Sequence, residues 1–110
     1  MKNAEIEVEL SSGNVFADLG FADAEEMLVK AQLTAKISEI LAARGWTQQY
    51  AGQILGIPQP KLSRMLRGQF RGISEAKMLE CLTRLGRDVK IVIGEERVAS
   101  SQGRVEVVSA

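Results

Sequence analysis

The feature that most constrains this chain is the turn Gly56-Ile57-Pro58, which lies between two short stretches with helical spacing. Glycine permits the positive φ with which many helices end, and proline cannot prolong the preceding helix because it has no N–H to donate. We therefore predict a helix over residues 48–55 and a second helix that begins near Gln59 and ends at Gly68. Thr47 supplies a hydroxyl that can cap the first of the two.

The apolar positions of this helix pair are spaced so that both helices can bury one small shared face. They are Ala51, Leu55, Ile57, Leu62, Met65 and Leu66. The side chains left outside are of the types that grip phosphates and match base edges bidentately in the major groove. They are Gln48, Gln49, Gln59, Lys61, Ser63, Arg64 and Arg67. The pattern therefore predicts a surface that binds double-stranded DNA.

The stretch from Thr47 to Gly68 resembles the Cro/CI-type (XRE) helix-turn-helix family. The matching residues are Thr47, Gln48, Leu55, Gly56, Ile57, Gln59, Ser63, Arg64 and Gly68, with Leu62 at a position that usually carries Ile or Val. Three departures are Ala51-Gly52 in place of Leu-Ala, Pro58 in place of a capping serine, and the added Pro60. Both prolines fall in a first helical turn, where a missing N–H is tolerated. We expect a small residue at position 52 because the two helices cross closely there.

The resemblance implies an all-α, lambda-repressor-like bundle of four to five helices that acts as a sequence-specific repressor. The second helix of the motif would lie in the major groove of the operator, and the first would point its free amides at the backbone. The candidates for base edges are Gln59, Lys61, Ser63 and Arg64, and those for the phosphate backbone are Gln48, Gln49, Arg67 and Arg71, with a flanking base as the alternative for Gln49. Family resemblance supports Gln48, Gln59, Ser63 and Arg64, whereas Lys61 rests on helical facing alone.

Residues 57–74, IPQPKLSRMLRGQFRGIS, also look like the HigA-type antitoxins of toxin–antitoxin modules. That resemblance implies a regulator that represses its own operon and has an RNA-cleaving toxin of RelE-like fold as its partner. An alternative stays open: a protein-interaction module that neutralises a toxin through an N-terminal arm or C-terminal tail, without significant DNA binding of its own.

Charge is distributed unevenly along the chain, although its formal net charge is zero. Residues 1–39 carry eight acids and three bases, and residues 75–110 carry six of each. Residues 40–74 carry Arg44, Lys61, Arg64, Arg67 and Arg71 and no acid. The positive charge is thus concentrated on the predicted reading unit, as DNA binding requires.

Two more helices are expected to complete one small domain over residues 23–87. Residues 23–44 predict a long helix with Asp23 as N-cap and Glu26 in capping-box position. Its apolar stripe comprises Ala24, Met27, Leu28, Ala31, Leu33, Ala35, Ile37, Ile40 and Leu41, and Trp46 is expected to seal its end. A helix over residues 75–85 follows Ser74, with Ile73 and Met78 as a hydrophobic staple. It should bury Ala76, Leu79, Leu82 and Leu85, with Phe70 in the core beside it.

The termini are predicted to be arms. Residues 1–22 contain EIEVEL, a short strand or an acidic arm, followed by the apolar patch Val15, Phe16, Leu19 and Phe21. Residues 88–93, DVKIVI, predict a strand, which must pair because a single strand is unstable. As its pairing partner we favour the same segment of a second subunit in a homodimer, since the family reads two half-sites. Pairing with RVEVV at 104–108 or with EIEVEL near the N-terminus is the alternative. Residues 94–110 are expected to form a C-terminal tail, of which residues 94–103 are polar.

Residues needed for enzymatic chemistry are scarce. The chain has no histidine and a single cysteine, so the commonest general base and the usual zinc ligand sets are missing. Cys81 is expected to be a small buried hydrophobe. We expect no catalytic, cofactor or metal site. The absence of a long apolar run argues against a membrane span or a signal peptide, and one cysteine suits a reducing cytoplasm.

Overall fold

The computed structural model describes residues 23–98 and 102–110 of the chain. It contains α1 (Ala24–Arg44), α2 (Gln48–Leu55), α3 (Gln59–Leu66) and α4 (Glu75–Arg84). These helices confirm the predicted all-α, helix-turn-helix class, and α2 has the predicted bounds. The N-terminal arm, with EIEVEL and the apolar patch that follows it, lies outside the described residues. No helix in the described part of the chain is both long and apolar enough to span a membrane.

Local chemistry sets most of the helix ends. Thr47 Oγ1 accepts a hydrogen bond from the Tyr50 amide at 3.1 Å, and Ser74 Oγ accepts one from the Lys77 amide at 3.0 Å. Gly56 ends α2 in the left-handed conformation, with φ of 69°. Pro58 stands before α3 without a side-chain cap, as expected from its lack of a polar atom. These ends follow from side chains within three residues of each helix terminus, which explains why they could be predicted.

The capping box predicted at the start of α1 is wrong. Asp23 occupies the N-cap position, but its carboxylate accepts no hydrogen bond from the α1 amides. It pairs instead with Nη1 of Arg71, which is 48 residues away in the chain. Glu26 is also engaged elsewhere, in a 3.1 Å salt bridge to Lys30. The Arg71 guanidinium therefore takes the carboxylate that could otherwise have capped α1.

All four helices contribute to one hydrophobic core. Its fully buried centre contains Ile37, Leu55, Leu62, Met65, Met78, Cys81 and Leu85. α1 packs mainly against α4, and α2 mainly against α3. Phe70, 3% exposed, and Ile73 complete the core from the loop between α3 and α4, as predicted for Phe70.

The predicted apolar stripes are only partly correct. Ala35 and Ala76 are exposed, and Ala24, Leu28, Ala31, Leu66 and Leu79 are half-buried. Val29, Lys30 and Thr34 of α1 are buried although the stripe did not include them. A helical pattern gives candidate faces, but the rotation of α1 is set by where α4 and the loop before it pack.

Arg44 and Trp46 close the junction between α1 and α2. Trp46 is half-buried against the core, in agreement with its expected sealing role, and meets Tyr50 edge to face with ring centroids 4.9 Å apart. The Arg44 guanidinium lies 4.9 Å from the Trp46 ring centroid, and its Nη2 donates to the Leu85 carbonyl at 2.5 Å. Arg44 therefore links the end of α1 to the end of α4.

The strand expected at residues 88–93 is not formed in the single chain. Residues 88–93 and 104–108 do not pair with each other, so pairing with RVEVV is not the arrangement adopted. Ile91, Val92 and Ile93 are 78%, 84% and 88% exposed. Within residues 102–110, Val107 packs against the core and Ser109 contacts Lys36 of α1.

We predict that Gly52→Ala destabilises the fold. A Cβ at position 52 would lie 2.7 Å from the carbonyl oxygen of Ile57, so the turn or α3 would have to move. Overpacking of this kind costs about 1–3 kcal/mol in the free energy of unfolding, measurable by urea titration. Gly72→Ala is the control because a Cβ there meets nothing within 4 Å. Equal stability of the two variants would contradict the prediction.

Candidate nucleic-acid interface

The predicted DNA-contacting residues are distributed over three neighbouring parts of the motif. Gln48 and Gln49 form the first turn of α2, Arg67 follows the end of α3, and Arg71 lies in the loop before α4. Gln59, Lys61, Ser63 and Arg64 lie on α3. All eight are exposed except Ser63, which is half-buried. None faces into the core.

A bridge between two glutamines joins α2 to α3. Gln59 Nε2 donates to Gln48 Oε1 at 3.2 Å, across 11 residues of chain. Each amide keeps unused capacity, because Gln48 retains its NH₂ donors and Gln59 retains its carbonyl oxygen and one N–H. The bridge thus orients two amides at the start of α3 without consuming their ability to bind a base edge or a phosphate.

The far end of α3 carries a hydroxyl and cations. Arg67 Nη1 donates to Ser63 Oγ at 2.6 Å, so the guanidinium lies along the last turn of the helix. In the described part of the chain, no carboxylate forms a salt bridge with Lys61 or Arg64. Their charges are therefore available to a polyanion.

Two of the five cations in residues 40–74 have partners within the fold. Arg44 donates to the Leu85 carbonyl, and Arg71 pairs with Asp23. The positive field of α3 accordingly comes from Lys61, Arg64 and Arg67. The charge count alone could not separate these roles.

The orientation of the helix pair is held from both sides. Leu55, Leu62 and Met65 are fully buried beneath it. Arg84 Nη1 donates to the Ile54 carbonyl at 3.2 Å, which ties the end of α2 to α4. Lys30 and Arg84 are supporting residues that the sequence reasoning did not assign. Only the helical spacing of Lys30, three residues from Met27 and three from Leu33, could have signalled its burial.

Cys81 is 0% exposed, as predicted for a small buried hydrophobe. Burial raises the pKa of its thiol because the thiolate would lose its solvation. A protonated, inaccessible thiol is a poor nucleophile. Among the described residues, no group of three or more Cys, Asp or Glu side chains is placed to hold a metal ion.

Comparison with known proteins agrees with this geometry. The family model for a helix-turn-helix domain matches residues 15–94, a span that includes all four helices. A solved structure named as an XRE family transcriptional regulator aligns with a TM-score of 0.74 and 32% sequence identity, over 80% of this chain and 99% of that chain. The chain belongs to the XRE-type helix-turn-helix family. None of the curated proteins compared with it matches this chain.

Membership of the XRE-type family gives this protein its general role. It is a DNA-binding helix-turn-helix regulator of transcription, and such regulators are generally non-enzymatic. In the XRE-type arrangement, α2 and α3 are the two helices of the motif, and α3 occupies the position of the reading helix.

Proposed function

We propose that this protein is a repressor that binds a specific operator as a homodimer, with α3 of each subunit in the major groove. The observation that supports it best is the outward row on α3, in which Gln59, Lys61 and Arg64 are exposed. Side chains at both ends of the motif would contact phosphates: Gln48 and Gln49 with the first amides of α2, and Arg67 and Arg71 beyond α3. Ser63 would contribute its hydroxyl near a base edge.

The proposed roles of these side chains follow from the hydrogen bonds that each can make with DNA. An exposed guanidinium such as that of Arg64 can bond O6 and N7 of one guanine together, and an amide such as that of Gln59 can do the same with N6 and N7 of adenine. Backbone contacts fix the register of the protein on the duplex but carry no sequence information directly. Specificity would therefore depend on α3 and its bridge to Gln48, and affinity on the flanking groups.

Arg64→Ala tests this assignment. Specific operator binding should weaken by about 1–3 kcal/mol while thermal unfolding stays unchanged, because Arg64 is exposed and lies outside the core. The operator would first be selected from a random duplex pool, and affinity then measured by mobility shift. Arg97→Ala, which removes another exposed arginine outside the motif, is the matched control. Unchanged specific affinity of Arg64→Ala would contradict the proposal.

The homodimer would form through residues 88–93 and their neighbours. Three consecutive aliphatic side chains there are more than three-quarters exposed in the single chain. A repressor of this type needs two reading helices about 34 Å apart to engage successive half-sites. Antiparallel pairing of the segment with its copy would pair its backbone groups and bring aliphatic side chains of the two copies into cross-strand contact.

One register of this pairing is self-complementary. When the pair is centred on Ile91, Val89 lies opposite Ile93 of the second copy, and Arg87 lies opposite Glu95 of the second copy. Positions 87, 89, 91, 93 and 95 share one face of a strand, because side chains alternate. That face therefore pairs aliphatic with aliphatic residues in its middle and opposite charges at its ends, and both pairings are favourable.

The two neighbouring registers with the same symmetry are worse. Centring the pair on Lys90 places two ammonium groups opposite each other, and centring it on Val92 places Asp88 opposite Glu96. Like charges that face each other directly destabilise a sheet. The register centred on Ile91 is the one we propose.

Ile91→Cys tests this register. Directly opposed Cβ atoms in an antiparallel pair lie about 4.5–5.5 Å apart, which is close to the reach of a disulfide. Mild oxidation should give a covalent dimer on non-reducing gels, whereas the native chain should not crosslink because Cys81 is buried. Val98→Cys, at a comparably exposed valine beyond the paired segment, is the control. Equal crosslinking of both variants, or none at position 91, would argue against the pairing.

The finer role that we propose is that of an autoregulating antitoxin. Its support is the resemblance of residues 57–74 to HigA-type antitoxins, together with exposed aliphatic side chains outside the motif, at Val105 and Val108. A RelE-like toxin would be the partner, and the protein would act in the cytoplasm. Alternatively, the fold serves only to hold that toxin, in which case DNA binding would be absent.

Co-expression tests the antitoxin role. A small basic protein encoded beside this gene should co-purify with the chain and should arrest growth when it is expressed alone. Failure of two soluble proteins to associate would refute the antitoxin role without affecting the DNA-binding result. A stable complex combined with no salt-dependent DNA binding would favour the interaction module instead.

A further inference from the structure

Lys30 is a buried cation in an otherwise apolar part of α1, with only 3% of its surface exposed. Its Nζ donates to the backbone carbonyl of Arg71 at 3.1 Å and forms a salt bridge with Glu26 Oε2 at 3.1 Å. Burying an ammonium group costs several kcal/mol unless it is paired and hydrogen-bonded. Lys30 has both kinds of partner, and its bond to the Arg71 carbonyl joins α1 to the loop after α3.

The side chain of Arg71 has its own partner, which differs from the partner of its backbone carbonyl. Nη1 pairs with Oδ2 of Asp23, although the Asp23 carboxylate could have capped α1. The Arg71 side chain remains 58% exposed, and that of Asp23 is 34% exposed. A carboxylate and a phosphate present similar paired oxygens to a guanidinium, so a DNA phosphate can compete with Asp23 for Arg71.

We propose that Lys30 is a positioning residue that prepares Arg71 as a DNA phosphate contact, and that Asp23 is the acidic partner that phosphate displaces, an inference that rests on the DNA-binding function proposed above. Lys30 fixes the loop through the Arg71 carbonyl, independently of the side chain at position 71. Asp23 occupies the guanidinium until phosphate replaces it. Binding thus exchanges one ion pair for another, and the loop is already ordered.

Each residue has a distinct expected effect on DNA binding. Arg71→Ala should lower affinity and reduce the slope of log K against log salt by about 1, because one phosphate contact is lost. Asp23→Asn should raise affinity about two- to fivefold, the range of an exposed ion pair that no longer has to be broken. Lys30→Met should also lower affinity, as Arg71→Ala does, because the loop would no longer be held in place.

A double-mutant cycle separates positioning from general structural damage. In an Arg71→Ala background, Asp23→Asn and Lys30→Met should have no further effect on affinity, although either can shift the thermal midpoint. Glu39→Gln removes an exposed acid from α1 and controls for net charge. Its effect should be the same in both backgrounds. Affinities would be measured well below the lowest thermal midpoint by fluorescence anisotropy with the selected operator, over a series of salt concentrations.

The inference would be overturned if Arg71→Ala matched the native affinity and salt slope, or if the effects of Asp23→Asn and Lys30→Met persisted in its absence. Loss of specific binding in Arg64→Ala, combined with no effect of Arg71→Ala, would refute this inference and leave the proposed function intact. Native protein with no salt-dependent DNA binding would refute both.

Discussion

The close crossing of α2 and α3 is the constraint on which the rest of the structure depends. At Gly52 of α2, an added Cβ would lie 2.7 Å from the Ile57 carbonyl oxygen in the turn and 3.7 Å from the Cα of Gln59, the first residue of α3. Leu55, Leu62 and Met65 can all be fully buried because the helices meet this closely. With its inner face committed to that contact, α3 must present its glutamine, lysine and arginine side chains to solvent.

Three cationic side chains stabilise the packing around that crossing by donating hydrogen bonds to backbone carbonyl oxygens. Lys30 donates to the carbonyl of Arg71, Arg44 to that of Leu85, and Arg84 to that of Ile54. Each accepting carbonyl lies at a helix end or in a loop, where carbonyls lack intrahelical partners. The basic side chains of the described chain therefore include one set that joins elements and another, on α3, that faces solvent. A fold with a formal net charge of zero can in this way keep a positive reading helix.

Several expectations failed where a distant partner competed with a local one. Asp23 had the position and chemistry of a cap, yet the Arg71 guanidinium engages its carboxylate. Ala76 had the spacing of a core residue in α4, yet Met78 and Cys81 occupy the buried face instead. In each case the local pattern allowed two arrangements. Packing against a remote segment decided between them.

The sequence by itself determined the helix-turn-helix unit, because glycine, threonine, serine and proline act on amides within a few residues of themselves. The bounds of α2, the caps at Thr47 and Ser74 and the outward polar side chains of α3 are all of this local kind. Only the tertiary structure decided which face of α1 is buried, why Lys30 lies among apolar residues, and that residues 88–93 form no strand with another described segment of the chain. Those outcomes depend on contacts between segments far apart in the chain, which no local pattern encodes.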